Sequence, residues 1–260
     1  MTPASNQHRI ALVTGAATRL GAAMARVLAA NGWAVVIHHR GGREAALALV
    51  AEIKSAGGRA AAIKADLAIR KQRSTAIARA ADAFGPLTLL VNNASSFEPD
   101  SIADLDEELW DRHVAIHLEA PAFLARDFAA QMPDGVQGNI VNIIDARVLS
   151  LTPSYFSYTL SKAALWTMTQ TMAQSLAPRI RVNAIGPGPT LHDAGQSKAA
   201  FDKNQASTPL GYAANAADVC DALLYLLAAR PVTGQMIALD GGRHIHFPAK
   251  RAPTPRKPSK

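Results

Sequence analysis

Short, nearly continuous apolar runs alternate along the chain with longer alanine-rich segments whose apolar positions recur at helical spacing. Apolar runs without strict polar alternation are typical of strands that are covered on both faces. The pattern predicts seven strands, at Arg9–Val13, Trp33–His38, Ala60–Ala65, Leu87–Asn92, Asn139–Ile144, Arg181–Ile185 and Gln235–Leu239.

The amphipathic segments between these runs predict six helices, and glycines mark the ends of the first three. Regular alternation of strand and helix predicts a parallel sheet with right-handed crossovers and helices on both faces. The predicted helices are Gly21–Ala30, Arg43–Ser55, Lys71–Phe84, Glu107–Gln131, Ser157–Leu176 and Ala216–Ala229.

The composition fits one large domain with an apolar core, since the chain has 260 residues of which 49% are hydrophobic. No apolar run is long enough to cross a bilayer and no secretory signal opens the chain, so no membrane partner is expected. The lone Cys220 excludes an intrachain disulfide framework, and the cytoplasm is the simplest location to expect.

The net charge of +7 is concentrated at the carboxyl terminus. Residues 248–260 carry five Lys and Arg and no acid, so removing those five charges from +7 leaves +2 for residues 1–247. This Pro-rich basic tail is expected to be disordered. The body has no basic stripe and few aromatics, so no nucleic-acid partner is expected. His244 and His246 lack further ligand residues nearby, and no metal is expected.

Chemically distinctive residues fall at the predicted carboxyl ends of six strands. Ligands of such sheets bind in the crevice beyond those ends, near the point where the strand order reverses. Purely structural residues would be scattered along the chain, so this coincidence predicts a ligand site. The residues are Thr14–Gly21, His38–Arg40, Asp66, Asn92–Phe97, Asp145 and Gly186–Thr190.

The segment TGAATRLG at 14–21 is typical of a dinucleotide-binding turn. Gly15 can make the tight turn, and Gly21 lets the following helix pack closely on the sheet. The N-terminus of that helix then offers N–H groups to a pyrophosphate. Arg19 stands where the Gly-x-Gly-x-x-Gly fingerprint has a glycine, and it can reach a phosphate or an anionic ligand. The alternative is a plain strand-to-helix turn.

The second predicted strand ends in basic residues, where a carboxylate would bind the ribose 2′-hydroxyl of NAD. Arg40, His39 and Arg43 are candidates for a 2′-phosphate, so NADP(H) is favoured over NAD(H). The alternative is a set of solvated polar residues. Asp66, after the third strand, fits either an adenine contact or the N-cap of the next helix.

Asp145, Tyr158 and Lys162 form a candidate proton-delivery trio. Tyrosine titrates near pH ~10, which is too high for efficient acid–base work at neutral pH without help. Lys162 lies one helical turn after Tyr158 and is expected to favour the phenolate, which would lower the tyrosine pKa. The alternative is an ordinary helix face, because the Tyr-x-x-x-Lys pattern is short.

Together these motifs resemble the short-chain dehydrogenase/reductase family over residues 8–245. TGAATRLG, Asp66, NNAS at 92–95, Tyr158-x-x-x-Lys162, GPGPT at 186–190 and LDGG at 239–242 follow the order of that family. The resemblance implies an α/β fold, a single Rossmann-type doubly wound domain at residues 1–247 with a seven-stranded parallel sheet. It also implies NAD(P)-dependent hydride transfer and a homotetramer or dimer that pairs the helices Glu107–Gln131 and Ser157–Leu176.

Within the family, the chain looks most like the pteridine and dihydromonapterin reductases. Arg19, the sequence NNASSF at 92–97, and Asp145 in place of the usual catalytic serine carry this match. It implies that Phe97 stacks on a pterin and that Thr190 holds the nicotinamide side of the cofactor. The implied cofactor contacts are Gly15, Thr18, Arg19, Leu20, Gly21, His39, Arg40, Asp66, Leu67, Asn92, Asn93, Ala94, Ser95, Tyr158, Lys162, Pro187, Gly188 and Thr190; the implied substrate contacts are Arg19, Ser95, Phe97, Asp145 and Tyr158.

Two features depart from the family pattern. His117, four residues before Pro121, stands where the family has an asparagine that helps bind a water linking the lysine to solvent. We expect its imidazole to be either a catalytic member of the proton relay or a polar core residue. Residues 188–211, where family members carry the substrate lid, do not match closely.

The expected reaction is hydride transfer from NADPH to a C=N bond of a dihydropterin, of pteridine, dihydromonapterin or dihydrofolate type. Tyr158 would donate the proton, Lys162 would bind the nicotinamide ribose, and Asp145 would orient or reprotonate the tyrosine. One alternative is a 3-oxoacyl or ketone reductase, against which Asp145 argues because a serine there would donate to a ketone oxygen. Another is a catalytically weak NADPH-binding regulatory protein.

Overall fold

Seven strands form one parallel sheet, in a computed structural model that describes residues 9–190 and 197–245. The strands are β1 (Ile10–Val13), β2 (Ala34–His39), β3 (Arg59–Lys64), β4 (Leu89–Asn92), β5 (Gly138–Ile143), β6 (Ile180–Pro187) and β7 (Met236–Leu239). They pair in the order β3-β2-β1-β4-β5-β6-β7, and every neighbouring pair is parallel. The prediction of a seven-stranded parallel sheet is confirmed.

Helices connect the strands and cover both faces of the sheet. They are α1 (Arg19–Ala30), α2 (Arg43–Ser55), α3 (Arg70–Arg73), α4 (Ala76–Phe84), α5 (Glu107–Val114), α6 (Ala120–Gln131), α7 (Phe156–Leu176), α8 (Lys198–Ala206) and α9 (Ala216–Ala228). A π-helical turn, Ala115–Glu119, joins α5 to α6, so the long predicted helix over 107–131 is right in extent.

An apolar layer covers each face of the sheet, and this explains why the strand sequences are nearly continuous hydrophobic runs. Met24 of α1 and Leu223 of α9 pack with one face of the sheet. Leu124 and Phe128 of α6 and Ala173 of α7 pack with the other face. All five side chains are almost fully buried. Removing a large apolar side chain of this kind from water stabilises the fold by about 1.5–3 kcal/mol.

The strand order reverses between β1 and β4, and this places the site. Val13 pairs with Val91 at that junction. The backbone that follows both strands therefore emerges at the same edge of the sheet, side by side. Ligands of doubly wound sheets bind in the crevice at such a switch point. The six groups of residues singled out from the sequence lie along this edge.

Two helices differ from the sequence prediction. The segment predicted as one helix over 71–84 is divided between α3 and α4, because Ser74 and Thr75 donate side-chain hydrogen bonds to Lys71 O and Gln72 O, both at 3.2 Å. Such local bonds compete with the helical backbone ladder. Helix α8 was not predicted; Ser197 caps it by accepting from the backbone N–H of Ala200.

The basic segment 248–260 lies outside the described residues, so its predicted disorder stays a prediction. In the two ranges that the structure describes, no helix is both long enough and apolar enough to cross a membrane.

Candidate active site

The turn after β1 is tied directly to the end of β4. Asn93 donates from Nδ2 to Thr14 O at 2.8 Å and to Gly15 O at 3.1 Å. In return, the backbone N–H groups of Asn93 and Ala94 donate to Thr14 Oγ1 at 2.8 and 2.9 Å. These four bonds fix the relative position of the two loops that border the switch point.

Two glycines of the turn are required by close contacts. Gly15 has a φ of 62°, and a Cβ there would lie 2.9 Å from Ala94 Cα. A Cβ on Gly21 would lie 2.5 Å from Gly15 O, so α1 could not pack against the turn. Both roles match the sequence interpretation. Arg19 also has a left-handed φ, 54°, which is uncommon for a residue with a long side chain.

The N-terminus of α1 carries the features of an anion-binding helix end. Thr18 precedes the helix without a side-chain capping bond, and the first turn contains no acid. Thr18 and Arg19 are exposed, while Leu20 packs against the core under α1. Because the dipole of a helix places partial positive charge at its N-terminus, this end favours a phosphate group.

His38 supports the same turn, a role that the sequence did not reveal. Its Nδ1 accepts from the backbone N–H of Gly15 at 3.0 Å, so Nε2 carries the hydrogen and donates to Ala65 O at 3.0 Å. Burial lowers the pKa of His38 to about 4. The imidazole is therefore neutral at pH 7 and joins the ends of β1, β2 and β3.

The basic end of β2 divides into a buried and an exposed part. His39 is only 5% exposed, and its Nδ1 has no hydrogen-bond partner among the described residues. Burial, with Lys64 and Arg43, lowers its pKa, so the neutral imidazole is favoured at pH 7. The predicted contact of His39 with a 2′-phosphate stays a prediction. Arg40 and Arg43 are exposed.

Asp66 and Leu67 follow β3 at the edge of the crevice. Asp66 Oδ1 accepts from Ala68 N at 3.0 Å, which closes a local turn. The N-cap of α3 is Ile69, so the alternative that Asp66 caps the next helix is wrong. Leu67 is 3% exposed and belongs to the apolar core, so its side chain acts in packing.

Asn92 lies in the sheet and its amide faces the neighbouring strand. Its Nδ2 donates to Asn142 Oδ1 at 2.8 Å, and Asn142 donates onward to Thr169 Oγ1 at 2.8 Å. This buried polar chain joins β4, β5 and α7. Asn92 and Asn93 therefore hold the backbone of the crevice in place through their side chains.

The predicted trio is brought together at the carboxyl end of β5. The Tyr158 hydroxyl donates to Asp145 Oδ2 at 3.1 Å. The other oxygen, Oδ1, accepts from Arg147 N at 2.7 Å and caps a short 3-10 helix over Ala146–Leu149. Lys162 donates from Nζ to Ile143 O at 2.8 Å, and Nζ lies 5.7 Å from the centroid of the Tyr158 ring.

The pKa of Tyr158 moves in the opposite direction from the sequence expectation. Burial and the neighbouring Asp145 carboxylate raise the tyrosine pKa well above its ordinary value, because both disfavour a phenolate. Arg147 and a hydrogen bond from Ser95 act against this rise but do not reverse it. Burial also lowers the pKa of Lys162 to about 8, so the lysine remains mainly protonated at pH 7.

His117 sits in the π-helical turn and is 1% exposed. The N–H of Ser96 donates to its Nε2 at 3.2 Å, so Nδ1 carries the hydrogen that is shared with Ser161 Oγ at 2.9 Å. Ser95 Oγ also lies 2.9 Å from Nε2. Burial holds the pKa well below its usual value. The polar-core interpretation fits these contacts, although the ring still borders Tyr158 at a centroid distance of 5.2 Å.

Another buried histidine, His113, was missed from the sequence. Its Nδ1 lies 2.7 Å from Ser157 Oγ, and Ser157 in turn donates from both its backbone N–H and its hydroxyl to Asp100. The ring stacks on His117 with centroids 5.4 Å apart. This chain joins α5 to the start of α7, one residue before Tyr158. Nothing in the local sequence around His113 indicated it.

An aromatic stack borders the trio on its exposed side. Phe97 is 41% exposed, and its ring lies parallel to that of Tyr155 with centroids 4.4 Å apart. The rings of Phe97 and Tyr158 also meet in a T-shaped arrangement at a centroid distance of 4.8 Å. Phe97 was predicted as a site residue; Tyr155 was not, because its contact with Phe97 spans two distant loops.

The end of β6 completes the edge of the crevice. A Cβ on Gly188 would lie 2.9 Å from Asp240 Cα, so this glycine permits close approach of two backbones. Pro187 is buried, and Thr190 Oγ1 donates to Gly188 O at 3.0 Å. Part of the predicted lid region, residues 191–196, lies outside the described residues.

Within residues 9–190 and 197–245, no group of three or more His, Cys, Asp or Glu side chains is placed so that it could hold a metal ion. His244 is paired with Asp240 through Nδ1 at 2.8 Å. Its predicted companion in the sequence, His246, lies beyond the described part of the chain.

Known proteins similar to this chain match 90% or more of its length. A crystal structure of FolM alternative dihydrofolate reductase 1 from Brucella suis, in complex with NADP, is 44% identical, covers 93% of this chain and 97% of that chain, and has a TM-score of 0.90. L-rhamnose 1-dehydrogenase (NAD(P)(+)) from Azotobacter vinelandii is 34% identical over 247 residues, 91% of this chain and 96% of that protein.

The family assignment rests on two further matches. A short-chain type dehydrogenase/reductase from Picea abies is 33% identical over 249 residues, 90% of this chain and 92% of that protein. The family model described as enoyl-(acyl carrier protein) reductase matches residues 15–244. The resemblance found in the motifs is thereby confirmed, and the chain belongs to the short-chain dehydrogenase/reductase family of oxidoreductases.

Proposed function

We propose that this protein uses NADPH to reduce a C=N bond of a dihydropterin. The observation that carries the proposal is the 3.1 Å hydrogen bond from the Tyr158 hydroxyl to Asp145. An acidic partner for the tyrosine suits protonation of a ring nitrogen, whereas the serine usual in this family suits a ketone oxygen. The similarity to a dihydrofolate reductase of the FolM type supports the same substrate class.

The crevice has the groups that an NADP molecule requires. Gly15, Arg19 and the start of α1 would hold the pyrophosphate, where the turn offers backbone N–H groups and no acid. The exposed Arg40 and Arg43 would bind the 2′-phosphate, and Asp66 the adenine. The remaining contacts are assigned to the backbone and side chains around them: Thr18, Leu20, Gly21, His39, Leu67, Asn92, Asn93, Ala94, Ser95, Pro187, Gly188 and Thr190.

The chemistry divides between the cofactor and the protein. When bound, the reduced nicotinamide supplies a hydride to the carbon of the C=N bond. Tyr158 gives its proton to the nitrogen, and its raised pKa means that it begins this step as the phenol. Lys162, as a cation, stabilises the phenolate that remains, and a solvent proton then restores the phenol. Asp145 orients the hydroxyl throughout.

The substrate would lie on the exposed part of Phe97. One face of this ring is covered by Tyr155, and the ring makes a T-shaped contact with Tyr158. A pteridine ring stacked on the open face would stand beside the proton donor. Ser95 borders the same space and is connected to His117, so we assign His117 to positioning Ser95 and the α5–α6 junction.

Purified protein mixed with NADPH and one substrate at a time tests this function by the loss of NADPH absorbance. We expect turnover with 7,8-dihydrobiopterin or dihydrofolate and little with an acetoacetyl thioester. Faster turnover of the thioester would establish the carbonyl reductase alternative. NADPH binding without turnover of any substrate would favour the regulatory alternative. Tyr158→Phe serves as the inactive control.

Assembly and location belong to the same proposal. Leu160 on α7 is 44% exposed, which suits pairing of α7 between subunits in a homotetramer or dimer. The buried free thiol of Cys220 suits a reducing compartment such as the cytoplasm. Light scattering after size-exclusion chromatography measures the assembly, and a monomer would contradict it.

A further inference from the structure

Three side chains form a continuous stack at the exposed border of the site. The guanidinium of Arg147 lies over the ring of Tyr155, with Cζ 4.7 Å from the ring centroid. Tyr155 in turn stacks on Phe97, with ring centroids 4.4 Å apart and an angle of 12° between the ring planes. These spacings place the guanidinium no more than about 9.1 Å from the centroid of Phe97. We call these three residues the Arg147 stack.

The backbone of Tyr155 is held in an unfavourable conformation to make this stack. Its φ of 60° and ψ of 48° lie in the left-handed region, which a bulky side chain rarely adopts. Such a conformation is strained and persists where surrounding contacts enforce it, commonly at ligand sites. Phe97 and Arg147 both contact the Tyr155 ring, at distances of 4.4 and 4.7 Å from its centroid.

The guanidinium of Arg147 forms no salt bridge with a carboxylate in the described part of the chain. The nearby Asp145 carboxylate accepts instead from the backbone N–H of Arg147 and from Tyr158. One guanidinium nitrogen donates to Thr152 Oγ1 at 3.0 Å. Nε is buried and has no hydrogen-bond partner among the described residues. A guanidinium placed in this way retains donors that match a carboxylate or phosphate.

We propose that the Arg147 stack recognises an anionic group on the side chain of the pterin. The inference rests on the proposed function and adds to it a preference, within that substrate class, for pterins that carry a carboxylate or a phosphate. The pteridine ring would occupy the open face of Phe97, and its substituent would pass beside Tyr155 to reach Arg147. The same chemistry is offered by the glutamyl carboxylates of a dihydrofolate and by the ester of a pterin phosphate.

The charged hydrogen bonds to Arg147 set the size of the expected selectivity. Hydrogen bonds to charged groups contribute enough to change binding about ten- to hundredfold when one partner is removed. A neutral pterin such as biopterin offers only hydroxyl oxygens and cannot form an ion pair with the guanidinium. Loss of the guanidinium should therefore reduce the preference for anionic over neutral pterins by about tenfold or more.

Equilibrium binding tests the inference without depending on turnover. Dissociation constants of folate, neopterin phosphate and biopterin are measured by quenching of protein fluorescence in the presence of NADP, for wild type and Arg147→Gln. Arg59→Gln is the matched control, because Arg59 also lies over an aromatic ring, Phe84, at 5.7 Å and begins β3 at the opposite end of the sheet. Arg147→Lys, which keeps the charge but loses the planar fork, should lie between wild type and Gln.

The expected result is a tenfold or larger loss of the preference for folate, for neopterin phosphate, or for both, in Arg147→Gln alone. Which of the two loses its preference identifies carboxylate or phosphate as the recognised group. An equal loss for biopterin, or wild-type binding of both anionic pterins no tighter than biopterin, overturns the inference. A different outcome separates the two proposals: wild type prefers the anionic pterins, Arg147→Gln loses that preference, and no dihydropterin causes NADPH oxidation. That outcome would refute the proposed function and leave the anionic-pterin site supported. Thermal unfolding confirms that the variants are folded.

Discussion

His38 should make the protein less stable in mild acid, and the substitution His38→Gln should remove most of that effect. The imidazole accepts from Gly15 through Nδ1, so protonation of this nitrogen would break the bond and place a charge in a buried site. A glutamine can supply one acceptor and one donor without titrating. The variant therefore separates the hydrogen bonds of His38 from its ionisation.

The magnitude follows from the two pKa values of His38. The folded pKa is about 4 and the ordinary value is 6.5. Above pH 6.5 both states are neutral and the contribution is constant. As the pH falls from 6.5 to 4, the unfolded chain takes up the proton first, so stability is lost over this window. The loss reaches about 2 kcal/mol at pH 5 and about 3.4 kcal/mol when complete, at 1.36 kcal/mol per pKa unit.

Urea unfolding at pH 7.5 and pH 5 measures this contribution for wild type and His38→Gln. Other buried histidines, including His113 and His117, contribute equally to both proteins, so the difference between the two pH dependences isolates His38. The variant should lose about 2 kcal/mol less than wild type between these pH values. Parallel pH dependences for the two proteins would refute the reasoning, because His38 would then have an unshifted pKa.

Three further predictions test the catalytic groups, one each for Tyr158, Asp145 and Lys162. Tyr158→Phe should lower kcat at least ~100-fold with little change in the dissociation constant of NADPH, since it removes the proton donor; near wild-type turnover would exclude the mechanism. Asp145→Asn keeps an acceptor for the capping bond from the backbone N–H of Arg147. Both Asp145→Asn and Asp145→Ser should impair pterin reduction more than NADPH binding. Equal losses of turnover and cofactor affinity would indicate a structural role for Asp145. Because the pKa of Lys162 is about 8, kcat should fall above pH 8 as the cation is lost, and a rate that stays level to pH 9.5 would contradict the role of Lys162.

The strands, most helices and the Asp145–Tyr158–Lys162 trio were accessible from the sequence because their signals are local. Strand and helix bounds differ from the predicted ones by no more than two residues, apart from the interruption after Arg73 and the unpredicted α8. A buried parallel sheet requires continuous apolar runs, and a helix places residues four apart on one face. Both rules apply without knowledge of the tertiary fold.

The contacts that shape the site depend on residues far apart in the chain. His38 and Gly15 are 23 residues apart, and His113 and Ser157 are 44 residues apart. The predicted direction of the shift in the Tyr158 pKa was wrong for the same reason: burial is the largest influence on this pKa, and it depends on the whole fold. Local spacing predicts which groups meet on a helix, whereas their ionisation depends on everything that surrounds them.

The carboxylate of Asp145 has two oxygen atoms with separate tasks, and this division ties the catalytic contact to the backbone turn. Oδ1 accepts from the backbone of the following turn, and Oδ2 accepts from the phenol. A serine offers a single oxygen for both partners. Because one side chain makes both contacts, the position of the carboxylate depends on the turn at 146–149. We therefore expect an insertion in that turn to displace the carboxylate from the Tyr158 hydroxyl and to lower turnover, although no catalytic side chain is replaced.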